Sequence, residues 1–151
     1  MYSVMSLGDF LMELDSVAAE YGLTLEAYQM GRLKNFSSEW RPGFSENARD
    51  LLWRVAMLLQ YLKFEPPVRI SSGWRPAQIN SSAHGAKRSL HMMAKAVDLA
   101  DTFGAIKRAI VAHPEYLETC GLWMEAPAST PSWVHLDTGV RRERKIRIFK
   151  P

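Results

Sequence analysis

Two short stretches hold the residues whose types and spacing can do chemistry. In SLHMMAKAVDLAD, His91 precedes Asp98 by seven residues, and in SWVHLD, His135 stands between apolar neighbours. Two imidazoles and one carboxylate are a common ligand set for a catalytic zinc ion, which takes three protein ligands and keeps a fourth position for water. Asp98 sharpens this reading, because an ionised carboxylate inside the apolar run Ala96 to Leu99 needs a cation or several donors to offset its desolvation. Taken singly, each residue also fits a plainer role. A core histidine with a satisfied hydrogen bond is common, and Asp98 could cap a helix beginning near Phe103.

Other chemistries find less support. No His-Glu-x-x-His helix is present, and no Gly-x-Ser-x-Gly elbow supports a serine triad. His135-Leu136-Asp137 forms half of the two-histidine, one-carboxylate set of iron oxygenases, but no further histidine follows it. The single Cys120 has no partner for a disulfide or a metal pair and reads as a small buried hydrophobe. His84 and His113 receive no role.

The elements that must position these groups follow from periodicity. Phe10, Leu11, Leu14, Val17, Ala18 and Tyr21 recur at helix spacing before Gly22, and a second short helix is expected around Leu25 to Leu33. KNFSSEWRPGFS, residues 34–45, reads as a loop with Ser45 as N-cap of the next helix, whose apolar face is Leu51, Leu52, Val55, Leu58, Leu59 and Leu62 and which Pro66-Pro67 ends. Val68 to Ser72 is then a short strand, and Gly73 to Ser89 is too rich in Asn, Ser, Gly and Pro for regular structure, a length of loop that is usually functional. Ala96 to Leu99 reads as a buried strand, Phe103 to Val111 as a helix, and Pro114 to Cys120 as a further turn. Strands around Leu122 to Glu125 and Trp133 to Leu136 flank the breaker-rich APASTP, and a strand in the tail completes a sheet. Helices first and strands later, without βαβ alternation, predict an α+β architecture: a mainly antiparallel sheet covered on one side by helices. The expected organisation is one domain, with a helical part over 1–62 and a metal-binding core over 63–151.

The joint order of Ser-Gly-Trp-Arg (72 to 75), Asn80, Ser89-Leu90-His91, Ala96-Val97-Asp98, Glu125 and Trp133-Val134-His135 resembles the zinc D-alanyl-D-alanine metallopeptidases, which share a fold with the signalling domain of hedgehog proteins. The likeness covers roughly residues 63 to 140. It implies that His91, Asp98 and His135 bind Zn2+, that Arg75 takes a substrate carboxylate through its planar fork, and that Ser89 offers a hydroxyl to substrate. It also implies cleavage at D-amino acids in peptidoglycan stem peptides, by an endopeptidase or a carboxypeptidase of the phage endolysin or tail-associated kind. The chain departs from the pattern at two positions. The family glycine of His-x-x-Gly-x-Ala-x-Asp is Ala94 here, which disfavours a positive φ, and the position three before the last histidine, often an acid, is Ser132. Glu125, on the preceding strand, fits the place of the catalytic acid in the nearest subgroup. Asp137 is a candidate acceptor for a ligand histidine, and Trp74, Trp123 and Trp133 are candidate cleft walls.

Composition bounds the rest. With 151 residues, 47% apolar and 23% charged, the chain is an ordinary globular size and balance, and it has no apolar run long enough to span a membrane. MYSVMSLGDFLMELD lacks a basic start and carries Asp9, Glu13 and Asp15, so no secretory signal is expected; the protein would be made in the cytoplasm and reach the wall after release or on a virion. The net charge of +3 is uneven: RRERKIRIFK holds +5, leaving −2 on the remainder. Ile146 and Ile148 alternating with Lys145 and Arg147 read as a solvated edge strand, although such a segment also suits anionic polymers. A monomer is expected, with a peptidoglycan peptide as substrate and neither nucleic acid nor membrane as partner. The alternatives are a zinc-bearing binding module without catalysis, which Ser132 would suit, and a virion structural component.

Overall fold

Local signals set the helical part first. In the computed structural model, which describes residues 3–151, Ser6 caps α1 (Leu7–Glu20) by accepting from the Asp9 amide at 3.1 Å, and the chain turns away at Gly22. Met1 and Tyr2, which open the segment read against a secretory signal, lie outside the described residues. The apolar stripe of α1 is used only toward its end. Ala18 and Tyr21 are buried but Phe10 is 50% exposed, since helical spacing creates an apolar face without ensuring that another element covers all of it. Thr24 caps α2 (Leu25–Gln29).

The expected loop over 34–45 is more ordered than its composition suggests. It holds the end of α3 (Leu33–Phe36) and a 3-10 turn (Ser37–Glu39), and Trp40 packs edge-on against both Phe44 and Trp74, at 5.6 and 5.1 Å between ring centres. The next helix, α4 (Phe44–Tyr61), is capped by Gly43 rather than Ser45; the Ser45 hydroxyl instead accepts from the Trp40 indole at 3.2 Å. Leu51, Leu52, Val55, Leu58 and Leu59 of α4 are all buried, and the helix packs on α1 and α2.

Five strands form one sheet in the order β1-β2-β4-β3-β5, from β1 (Ile70–Ser72), β2 (Ala96–Ala100), β3 (Trp123–Glu125), β4 (Trp133–Asp137) and β5 (Ile148–Phe149). The pairings are antiparallel except for β3 with β5, which is parallel. Residues paired across neighbouring strands point to the same face. One face therefore carries the row Val97, Leu136, Met124 and Ile148, all packed in the core under the helices. The architecture is α+β, and the helices over residues 7–20, 25–29, 44–61, 105–112 and 115–120 contribute to the core on that face.

The 73–89 stretch contains a helix, α5 (Ala77–Ser82), that its composition hid. Its Ala77 amide finds a cap 38 residues away, the Glu39 carboxylate at 3.0 Å, a partner only the folded chain supplies. After β2, α6 (Ala105–Ala112) starts from the N-cap Gly104, and the carboxylate that serves its first turn is Asp101, not Asp98, accepting from the Ile106 and Lys107 amides at 3.0 Å each. The expected turn at 114–120 is α7 (Glu115–Cys120), which packs on α4. Among the described residues no helix is long and apolar enough to cross a membrane.

Asp101 is 5% exposed and satisfies two helix-terminal donors at once, so Asp101→Ala should lower stability by about 1–2 kcal/mol. Urea denaturation would read this as a lower midpoint at unchanged slope, with Asp101→Asn losing less.

Candidate metal centre

The opposite face of the sheet gathers the chemistry into a row that crosses all five strands. Register pairs Ser72 with Asp98, Asp98 with His135, and Glu125 with Phe149. The β3–β4 pairing of Met124 with Leu136, continued by one residue, sets Glu125 beside His135. Adjacent strands lie about 4.8 Å apart, so the backbone alone brings these groups within reach of one another.

His91 joins the row from a 3-10 turn (Leu90–Met93) built for it. The Ser89 hydroxyl accepts from the His91 amide at 3.3 Å, and the Arg75 amide donates to the His91 carbonyl at 3.1 Å. Ala94 closes the turn at φ 56°, the left-handed backbone that alanine is expected to disfavour here. The left-handed backbone costs about 1–2 kcal/mol. Burying the Ala94 methyl returns about 0.8 kcal/mol, which together with the Lys95 amide bond to Leu90 at 3.0 Å accounts for its tolerance.

His91, Asp98 and His135 offer ligand atoms that all lie within 4.8 Å of one another. Asp98 Oδ1 is 3.3 Å from His91 Nε2 and 2.8 Å from His135 Nδ1. A tetrahedral shell with bonds of roughly 2.0–2.1 Å spaces its ligand atoms about 3.3 Å apart, so these separations suit one ion. The far side of each ring is also committed. His91 Nδ1 is 2.8 Å from the Gly73 carbonyl, which can only accept, and His135 Nε2 is 2.9 Å from Asp137 Oδ2. With the ring hydrogens on those outer nitrogens, Nε2 of His91 and Nδ1 of His135 present lone pairs to a carboxylate oxygen. With the ring hydrogens so placed, three acceptors converge on one point, a donor set that fits a metal ion.

The charges agree. Burial works to raise the pKa of Asp98, which is 6% exposed, but the hydrogen bond from His135 outweighs it and holds the carboxyl below its ordinary range. Arg75 binds the other Asp98 oxygen at 3.1 Å and the Ser72 hydroxyl at 2.9 Å. Burial lowers the pKa of His91, disfavouring a proton on Nε2. Burial also works to lower that of His135, but its hydrogen bonds to Asp137 and Asp98 prevail and raise it to about 9. Without an ion, His135 is thus an imidazolium held between two carboxylates, its Nδ1 proton standing where a metal would bind.

This face opens into a cleft of about 610 Å³, lined by the three candidate ligands together with Arg75, His84, Arg88, Ser89, Glu125, Trp133, Arg141 and Phe149. Glu125 is half-buried there, and burial, helped by the charges of Asp98 and Asp137, raises its pKa against the opposing pull of His135 and Arg141. Ser132 is exposed and absent from the lining. Of the three tryptophans read as cleft walls only Trp133 lines it; Trp74 is fully buried against Trp40, and Trp123 lies beneath the guanidinium groups of Arg141 and Arg147. Two participants escaped the sequence reading. The Gly73 carbonyl carries no side-chain signal, and Arg141, which binds Asp137, stood among five other basic residues of the tail.

The family model described as Peptidase M15 matches residues 26–137, well over half of the chain and including every candidate ligand. No curated protein matches the chain.

Two outcomes follow from this geometry. His135 gains proton affinity on folding, so its contribution to the stability of the metal-free protein is complete below pH about 6.5 and is lost as pH rises through about 9. Metal uptake at pH 7 must then release about one proton, which calorimetry in buffers of different ionisation enthalpy would count. A Cβ at Gly73 would lie 2.0 Å from the Tyr28 carbonyl oxygen, so Gly73→Ala must displace the backbone whose carbonyl orients His91. A chelator-competition titration should show metal affinity reduced by about 10–100-fold in that variant.

Proposed function

Because the chain belongs to the peptidase M15 family, whose members are metal-dependent peptidases, we propose that it is a zinc peptidase hydrolysing bonds at D-amino acids in the stem peptides of bacterial peptidoglycan. The observation that carries this reading is the convergence of two imidazole lone pairs and one carboxylate at the floor of an open cleft that also holds a half-buried glutamate. Zinc suits two nitrogens and one oxygen with a position left for water. Bound there, a zinc ion supplies Lewis acidity that acidifies water and polarises a carbonyl.

The protein's own groups divide the remaining work. His91, Asp98 and His135 would hold the ion, with the Gly73 carbonyl and Asp137 fixing the two rings. Glu125 stands beside His135 in the row, and its raised pKa brings it nearer the neutral range in which a general base works well. Its carboxylate takes a proton from the attacking water, holds it, and delivers it to the departing amine nitrogen. That division gives Glu125 the role that Ser132, a residue without a titratable group and outside the cleft, does not fill. Arg75 holds Asp98 and also faces the cleft, where it and Ser89 offer donors to the substrate peptide. An endolysin-like or virion-associated setting, with the wall as the site of action, belongs to the same proposal.

The test is digestion of purified sacculi followed by mass spectrometry of the released fragments. Zinc-loaded wild-type protein should generate new amino termini, or free D-amino acid if it trims ends. Glu125→Gln should keep the metal and lose about 10²–10⁴ in rate. A folded, metal-loaded wild-type protein that releases nothing from several wall chemotypes would reject catalysis in favour of a binding module.

A further inference from the structure

Resting on the metal-site reading above, we infer that Arg141 is a positioning residue for the metal centre, acting through Asp137 to hold His135 with Nδ1 toward the ion. Asp137 has no solvent exposure, and its carboxylate has a full set of donors. Oδ2 accepts from His135 Nε2 at 2.9 Å and from Arg141 Nη2 at 2.9 Å, while Oδ1 accepts from Arg141 Nη1 and from the Gly139 amide at 2.9 Å. A guanidinium bound across both oxygens fixes the plane of a carboxylate, which a single donor does not. That plane determines where the lone pair of Oδ2 points, and hence which ring nitrogen of His135 keeps its hydrogen.

Three further features hold Arg141 in this position. His135, Asp137, Gly139 and Arg141 alternate along the chain, with Leu136 turned into the core. Gly139 brings the backbone close beneath this pair: a Cβ there would lie 2.6 Å from Leu90 Cδ1, 3.0 Å from Arg141 Nη1 and 3.1 Å from Asp137 Oδ1, all side-chain ends. The other face of the guanidinium lies 3.8 Å over the Phe149 ring, and that ring stands edge-on to His135 with centroids 6.1 Å apart. The contacts close a circuit from His135 through Asp137, Arg141 and Phe149 back to His135. A salt bridge serving stability alone would not need to share an oxygen with a candidate ligand.

The test uses the full chain with Zn2+ and Co2+. Arg141→Lys keeps the charge but not the fork, and Arg141→Met removes both. Each should weaken Zn2+ binding in chelator competition, by about 10–100-fold for the Met variant and less for Lys. Each should also alter the visible absorption of the Co2+ form, a signature that loss of stability alone would not move. Since Arg141→Met leaves a buried charge unpaired, the double variant Asp137→Asn with Arg141→Met removes both charges; it should fold, judged by circular dichroism, and still bind Zn2+ weakly. Wild-type affinity and an unchanged Co2+ spectrum in Arg141→Lys and in either folded Met-containing variant would overturn the inference. Wild-type protein that takes up neither ion would end the metal reading, and this inference with it.

Discussion

An ionised carboxylate buried in a sheet is the constraint to which the rest of this molecule answers. Asp98 sits on an inner strand, on the face away from the hydrophobic core, and its two oxygens are claimed by different partners: Oδ1 by two histidines and Oδ2 by Arg75. Leaving such a group unpaired in a protein interior costs several kcal/mol, so the surrounding positions are committed to satisfying it. The commitment extends outward. Each histidine is held from behind by an acceptor: the carbonyl of Gly73, which packs on the Tyr28 backbone, behind His91, and Asp137, fixed by Arg141 and the Gly139 amide, behind His135.

The sheet supplies the spacing. Because Ser72, Asp98, His135, Glu125 and Phe149 lie in one row across the strands, their separations follow from inter-strand distance and not from the reach of long side chains. Rows on alternate sides have opposite character: Val97, Leu136, Met124 and Ile148 form the floor of the core beneath the helices. A slip of one residue between β2 and β4 would drive His135 into the core and Leu136 into the cleft. The hydrophobic face thus enforces the register on which the polar face depends.

What the amino-acid order reveals about this arrangement is uneven, for physical reasons. The α4 stripe is legible because helical periodicity reports burial directly, and the candidate ligands are legible because metal donors are few in type and two of the three stand in apolar strands. Strand neighbours are not. Period-two alternation assigns a residue to a face without saying which strand lies alongside, so the row linking Glu125 to His135 emerges only from the pairing. Caps supplied from afar are equally hidden: Glu39 starts α5, and nothing in residues 73–89 announces it. Ala94 misleads in the opposite direction, since an intrinsic dislike of left-handed backbone is a small term that burial and one hydrogen bond offset. Arg141 is indistinguishable by type from its basic neighbours, and only the fold shows which of these cations pairs with the buried Asp137 carboxylate.

The parallel pairing of β5 with β3 carries a consequence for how the molecule comes into being. A ribosome delivers α1 to α4 first, so the apolar helices can assemble early. His91 and Asp98 emerge next, His135 after them, and Arg141 and Phe149 later still. For part of its synthesis the nascent polypeptide therefore displays two of the three donors without the last, and the ring of His135 is locked only once the following residues have looped back along the sheet edge. The candidate metal ligands are thus made before the residues that orient them, and the site is complete only when β5 has paired with β3.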